Sequence, residues 1–247
     1  MKRAVVLAGG LGTRLRPYTV VLPKPLVPIG DRPVLDIVVR QLRHAEFDQI
    51  TIATGYLAEL VEAFFRDGSR YHIPIDYYRE EEPLGTVGAL ALIDGLTEDF
   101  LVMNGDVLTD IDYATLLNRH RESDAVATIA TTKRRIQVSL GVLERDDEDD
   151  PTRLTGYIEK PELEHEVSMG VYCFSPQVFS HTEPGEHLDF PELILRLIAA
   201  GEIVRSWHSD NYWLDIGRHD DYEQAVDEFE RMRDRLIPAE TVSPLET

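Results

Sequence analysis

The stretch from Lys2 to Pro28, KRAVVLAGGLGTRLRPYTVVLPKPLVP, constrains the fold of this chain more than any other. Ala4-Val5-Val6-Leu7-Ala8 has the length and branching of a strand buried on both faces, and such strands belong to parallel sheets covered by helices. The run stops at Gly9-Gly10, where side chains vanish and backbone N–H groups can approach an anion closely. Arg14, Arg16 and Lys24 add fixed positive charge there, in a chain whose formal net charge is −20. A glycine pair alone would mark only a tight strand-to-helix turn. Pro23-Lys24-Pro25 argues for more, because a proline on either side fixes φ and restricts where the amine can point. Leu15 stands where the third glycine of a dinucleotide loop would fall, and no Gly-Lys-Ser/Thr follows, so neither a dehydrogenase nor a Walker-loop ATPase fits.

The remaining pattern alternates strand and helix. Asp31-Arg32-Pro33 reads as the cap and opening of a helix to about His44, with Val34, Leu35, Val38, Val39 and Leu42 as its apolar stripe. Strands follow at Gln49 to Thr54 and Ile75 to Tyr78, with a helix at Ala58 to Phe65 between them. A further helix reaches through Ala89 to Ile93, and Phe100 to Met103 is the next buried strand. The alternation predicts an α/β fold: a doubly wound, mostly parallel, Rossmann-like sheet with helices on both faces and its ligand crevice at the carboxyl ends of the strands. Asn104-Gly105-Asp106 falls at such an end. Asp110 and Asp112 are better placed to cap the next helix, which leaves Asp106 free, and Mg²⁺ takes one or two carboxylates with phosphate oxygens and waters.

After a strand at Ala125 to Thr131 the chain becomes β-rich from Val138 to Phe174, a small insert broken at Gly141 and Gly156, with an acidic hairpin tip at Glu144 to Thr152. Leu188-Asp189-Phe190-Pro191 opens a helix with Leu193, Ile194, Leu197 and Ile198 on one face. A strand at Ile203 to Trp207 and an amphipathic helix from Tyr222 to about Leu236 complete the fold. The expected organisation is one domain over residues 1–236, in two parts of about 1–135 and 136–217, with a flexible tail at 237–247.

Leu7-Ala8-Gly9-Gly10-Leu11-Gly12-Thr13-Arg14-Leu15 with Pro23-Lys24-Pro25 resembles the signature of the sugar-1-phosphate nucleotidyltransferases. The likeness continues, in family order, through Pro83-Leu84-Gly85-Thr86-Val87-Gly88, Asn104-Gly105-Asp106, Glu159-Lys160-Pro161, Gly170-Val171-Tyr172 and Trp213-Leu214-Asp215-Ile216-Gly217. It implies transfer of a nucleoside monophosphate from an NTP to a sugar 1-phosphate, with release of pyrophosphate. It implies Mg²⁺ on Asp106 and Asp215, and a catalytic set of Arg14, Lys24, Asp106, Lys160 and Asp215. It places the nucleotide on Leu7, Ala8, Gly9, Gly10, Gly12, Thr13, Glu80, Pro83, Gly85 and Thr86. The sugar falls to Asn104, Gly141, Glu159, Lys160 and Gly170. Ser168 departs from the family's usual asparagine two residues before Gly170, which opens the identity of the sugar.

The family likeness puts Glu80 at the base edge. A carboxylate only accepts hydrogen bonds, which suits the adjacent N1–H and N2–H donors of guanine better than the mixed edges of uracil, thymine or adenine. GTP with mannose 1-phosphate or a heptose 1-phosphate is therefore the expected pair. A glucose-1-phosphate uridylyl- or thymidylyltransferase is the alternative enzyme, and a non-catalytic sugar-nucleotide-sensing subunit is the alternative outside catalysis. Such a sensor would be free to lose the charge set, which here is present.

The charge of −20 excludes a general nucleic-acid or anionic-membrane binder, because both need a basic face. Of the four lysines, Lys24 and Lys160 fall within motifs. No apolar stretch reaches transmembrane length and the N-terminus enters a core strand directly, so the expected location is cytoplasmic. The lone Cys173 reads as a small core residue, and the eight histidines form no zinc pattern. The resemblance leaves a homo-oligomer open.

Overall fold

The computed structural model describes residues 1–80, 82–145, 150 and 152–238; the acidic tip at 146–149 and 151, and the tail from 239, lie outside the described residues. In chain order the elements are β1 (Arg3–Ala8), β2 (Pro28–Ile29), β3 (Arg32–Pro33), α1 (Val34–His44), β4 (Gln49–Thr54), α2 (Ala58–Phe65), β5 (Ile75–Arg79) and α3 (Gly85–Gly88). Then come β6 (Phe100–Asn104), β7 (Val107–Thr109), α4 (Tyr113–Arg121), β8 (Ala127–Gln137), β9 (Val142–Glu144), β10 (Gly156–Ile158) and β11 (Glu162–Phe174). The chain continues through α5 (Phe190–Ala199), β12 (Val204–His208), β13 (Trp213–Asp215) and α6 (His219–Leu236).

Seven strands form one sheet in the order β12-β8-β11-β6-β1-β4-β5. β1 runs parallel to both β4 and β6, β4 to β5, and β12 to β8, while β11 is antiparallel to both of its neighbours. The sheet is mixed and mostly parallel, as the alternation predicts. The pleat sends successive side chains of β1 to opposite faces. Ala4, Val6 and Ala8 pack under α1, α2 and α4, in a cluster with Leu35, Val38, Val61, Phe65 and Leu116. Val5 faces a second cluster containing Phe100, Val102, Phe174, Phe190, Leu193 and Leu197 from the α5 side. A third cluster seats Phe229 and Leu236 of α6 on Leu15, Ile29, Val34 and Ile37. Cys173 is fully buried, and burial pushes its thiol pKa up, so it is a packing residue.

Several boundaries differ from expectation, each for a tertiary reason. Asp31 does not cap α1; it accepts a bond from Arg233 on α6 at 2.7 Å, while β2 and β3 form a small hairpin around Gly30 at φ 60° and α1 starts at Val34. The helix expected through Ile93 is one turn, α3, followed by a 3₁₀ turn at Leu90–Leu92. Ile198 of the α5 stripe is 56% exposed, and Phe190, Leu193 and Leu197, with Ile194 half-buried beside them, carry the burial of that helix. α6 opens at His219, so one further turn precedes its amphipathic stretch from Tyr222. Asp112 does cap α4, accepting the Thr115 N–H at 2.9 Å.

Candidate active site

Strand order reverses beside β1, with β4 on one side and β6 on the other, and the loops after these parallel strands diverge to open a crevice there. The cleft has a volume of about 670 Å³. Leu7, Ala8, Gly9, Gly10 and Leu11 line it from β1, Gly55 and Tyr56 from β4, Glu80, Pro83, Gly85 and Thr86 from beyond β5, and Asn104 and Asp106 from β6. Lys24, Pro25 and Asp189 complete the wall.

The glycines of this wall do separate tasks. The parallel register pairs Ala8 with Thr54, so the residues that follow, Gly9 and Gly55, meet. A Cβ on Gly55 would lie 2.9 Å from the Gly9 carbonyl oxygen. A Cβ on Gly10 would meet nothing within 4 Å, so its missing side chain leaves backbone open to the cleft. Gly12 has φ 59°, and a Cβ there would press on Thr19 at 2.9 Å and on Lys24 at 3.1 Å. It turns the chain and lies outside the cleft wall, as do Thr13 and Arg14. Leu15, in the position of the missing third glycine, is instead an anchor in the α6 cluster.

Lys24 is held as the proline framing predicts. Pro23 is extended, Lys24–Leu26 make a 3₁₀ turn, and Pro25 and Leu26 are buried beneath it. The amine forms an ion pair with Asp106, whose side chain is 23% exposed against 12% for Lys24. Asp106 reaches the glycine loop because Asn104 pairs with Leu7 and the Gly105 N–H donates to the Leu7 carbonyl at 2.9 Å.

Asp215 arrives from β13, which pairs antiparallel with β7 so that Asp215 faces Val107, and the Ile216 N–H donates to the Asp106 carbonyl at 3.1 Å. Burial, and next the negative charge of Asp106, raise the Asp215 pKa above the usual carboxylate value, against the lowering effect of Lys24 and Arg14. Two carboxylates thus share a partly desolvated corner with the Lys24 amine. This donor set fits Mg²⁺, which needs only one or two carboxylates when phosphates supply the rest. Among the described residues no group of three or more His, Cys, Asp or Glu side chains could hold an ion unaided.

A folded-state pKa raised above the unfolded one contributes stability below the unfolded pKa and loses it as pH rises through the folded value. At neutral pH the Asp215 carboxylate therefore opposes folding. Asp215→Asn is expected to raise the Tm of the metal-free protein, and Mg²⁺ to raise that of wild type but not of the variant; calorimetry with and without Mg²⁺ checks both. An Asp215→Asn variant that melts below wild type would contradict the electrostatic account.

The sugar-side residues are less gathered. Of Asn104, Gly141, Glu159, Lys160 and Gly170, only Asn104 lines the cleft. Gly170, at φ 71°, backs it: a Cβ there would lie 2.8 Å from the Asn104 amide nitrogen. A Cβ on Gly141 would collide with the Tyr157 hydroxyl at 2.0 Å, so this glycine makes room for a tyrosine of its own chain. That hydroxyl donates to Glu159 at 3.0 Å. Lys160 follows at φ 48° in an exposed turn before β11.

Sequence reasoning missed Leu11, Pro25, Gly55, Tyr56 and Asp189. Gly55 carried a usable signal, since a glycine one residue past the second strand mirrors Gly9 one residue past the first. Asp189 carried none, because its partner Thr86 is 103 residues away.

The family model described as Nucleotidyl transferase matches residues 3–231. A UTP–glucose-1-phosphate uridylyltransferase of Synechocystis is 35% identical over 91% of this chain and 62% of its own length. A D-glycero-alpha-D-manno-heptose 1-phosphate guanylyltransferase of Aneurinibacillus thermoaerophilus is 34% identical over 92% of this chain and 98% of its own. The crystal structure of HddC from Yersinia pseudotuberculosis complexed with GMP-PN superposes with a TM-score of 0.69 at 26% identity, covering 93% of this chain and all of that one. The chain spans 62% of the length of several of the curated relatives it matches, mannose-1-phosphate guanylyltransferase of Mycobacterium tuberculosis among them.

Proposed function

The chain belongs to the nucleotidyl transferase family, and we propose that it transfers a guanylyl group from GTP to a sugar 1-phosphate of the mannose or heptose type, releasing pyrophosphate. The observation that carries this reading is the composition of one cleft. Open glycine backbone, Lys24 and Asp106 line it together, and Glu80 lines it too, its carboxylate 3.4 Å from where a Gly9 Cβ would be.

In this reading a sugar-phosphate oxygen attacks the α-phosphorus in line, the bond from that phosphorus to the bridging oxygen breaks, and pyrophosphate leaves with the electron pair. The attacking oxygen is already anionic, so the site needs no general base and works by positioning and charge neutralisation. Backbone N–H groups at Gly9 and Gly10 hold triphosphate oxygens, and Lys24 leaves Asp106 to meet the α-phosphate. Arg14 supports the triphosphate, and Lys160 the sugar phosphate. Asp106 and Asp215 would hold Mg²⁺, which when bound would neutralise phosphate charge. Residues 1–135 form the nucleotide part and 136–217 the sugar part of one domain. Among the described residues no helix is long and apolar enough to cross a membrane.

Burial raises the Glu80 pKa, yet as a carboxylate it offers acceptors only. Glu80→Gln replaces one acceptor by a donor facing a guanine donor. It is expected to lower kcat/KM for GTP relative to UTP by about 10- to 100-fold, the usual value of a base-edge hydrogen-bond pair. Kinetics with GTP and UTP as competing substrates check this; an unchanged ratio would remove Glu80 from base selection. A uridylyl reading is favoured by one observation, the Synechocystis relative named for UTP, and the same kinetics decide between the two.

A further inference from the structure

Asp189 stands at the N-terminal cap of α5, yet its side chain makes no bond to an N–H of that helix. It crosses instead to the turn at Pro83 to Thr86, where its Oδ1 accepts from the Thr86 N–H at 2.9 Å and from the Thr86 hydroxyl at 3.2 Å. The exchange is mutual, because the Thr86 hydroxyl oxygen accepts from the Phe190 N–H, the first donor of α5, at 2.9 Å. Each residue caps the other's helix. Around this pair the Leu188 N–H donates to the Leu84 carbonyl at 2.9 Å, and the Val87 N–H donates to the Leu188 carbonyl at 2.9 Å. The contact is too close for any side chain at Gly85, whose φ is 76° and whose added Cβ would sit 2.6 Å from the Leu188 carbonyl and 2.9 Å from Asp189 Oδ1.

An aspartate serving only α5 would bond within α5, as Asp112 does for α4. Asp189 gives up that role and faces the cleft with Thr86 and Gly85. α5 is itself seated in the core through Phe190, Leu193 and Leu197. Pro83, Gly85 and Thr86 are thereby referred to a rigid helix, while Glu80 on the same wall is held from the sheet side, its N–H donating to the Thr54 carbonyl at 2.8 Å.

We propose that Asp189 is a positioning residue for nucleotide selection, holding the Pro83–Thr86 turn at a fixed place on the wall it shares with Glu80, so that the base is seated against Glu80 at one height. This rests on the reading of the cleft as an NTP site. A residue that only stabilised the fold would change the melting temperature without changing which nucleotide is preferred. A positioning residue changes the KM for the nucleotide and the preference, and leaves turnover at saturation alone.

The test is steady-state pyrophosphate release from GTP and UTP by wild type, Asp189→Ala and Asp189→Asn, with the sugar 1-phosphate saturating. Asp189→Ala is expected to raise the KM for GTP by about five- to tenfold, the effect of one lost cap, and to narrow the GTP-to-UTP ratio of kcat/KM. Its kcat stays within about twofold of wild type, each tenfold in rate being about 1.4 kcal/mol of barrier. Asp189→Asn, whose amide oxygen can still accept from Thr86, is expected to restore most of the preference. An Asp189→Ala enzyme with wild-type KM and an unchanged ratio, or one whose kcat collapses at unchanged KM, would overturn the inference and leave the cleft reading intact. A wild type that uses no NTP would overturn the reading itself and this inference with it.

Discussion

Asp106→Ala is expected to lower pyrophosphate release by about 10³-fold while GTP binding changes far less. Removing one preorganised electrostatic group from a reacting centre costs about 10²- to 10³-fold in turnover, and Asp106 holds two such roles. It is the partner of Lys24, and with Asp215 it makes the carboxylate corner suited to a divalent ion. In the proposed reading, nucleotide binding depends on other atoms, the Gly9–Gly10 backbone and the Glu80 wall, which the substitution leaves in place. The fold contribution of residue 106 runs through its carbonyl, which accepts the Ile216 N–H at 3.1 Å and is present in every variant. Asp106→Asn, which keeps the shape and loses the charge, should be nearly as inactive. Calorimetric titration with GTP beside a pyrophosphate assay separates binding from turnover; wild-type turnover in either variant would remove Asp106 from the mechanism.

Asp36→Ala is expected to be the most damaging single change to stability. Asp36 lies in the first turn of α1 and is 3% exposed. Its Oδ1 accepts from the Tyr71 hydroxyl at 2.6 Å, and its Oδ2 from Arg40 at 2.8 Å and Arg32 at 3.2 Å. Burial first, and then the charge of Asp36, hold the Tyr71 pKa above its ordinary value. Truncation would remove the shared acceptor from two cations and a hydroxyl inside the fold. Breaking such a buried cluster by deleting one partner costs about 3–5 kcal/mol, which for a chain of this size lowers Tm by roughly 6–20 °C. Asp36→Asn retains an acceptor oxygen and should lose clearly less. Thermal unfolding of both variants checks the order, and an Asp36→Ala protein that melts with wild type would contradict the reading of this cluster as a structural centre.

The parts of the fold that were legible beforehand are those written in local pattern. β1 and β6 carry continuous apolar runs, β4 is a short run rich in β-branched residues, α1 has a full stripe, and Asp112 precedes its helix as caps do. The glycine loop and Lys24 were legible because backbone approach and proline framing are local properties. What was not legible depends on partners distant in the chain. Asp36 sits within the α1 stripe and gives no sign that Tyr71 lies over it. Asp31 has the spacing of a cap, but a guanidinium from residue 233 takes it first. α3 is one turn because its Gly88 donor is drawn to the Leu188 carbonyl, a hundred residues on, and the donors of Leu92 and Ile93 then bond three residues back instead of four. Gly141 reads as space for a ligand, and the space belongs to Tyr157. Pairing Asp106 with Asp215 required the family likeness, since only the β7–β13 pairing, across more than a hundred residues, brings them to one corner.

The measurement that tests the central claim most directly is pyrophosphate release in the presence of Mg²⁺, with GTP, UTP, dTTP, CTP and ATP each set against mannose, glucose and heptose 1-phosphates. The account predicts release concentrated in the GTP row with mannose or heptose 1-phosphate, and loss of that signal in Asp106→Ala. Release confined to UTP or dTTP would overturn the role given to Glu80. Silence across the whole set, from a folded protein that still binds a sugar nucleotide, would contradict catalysis itself.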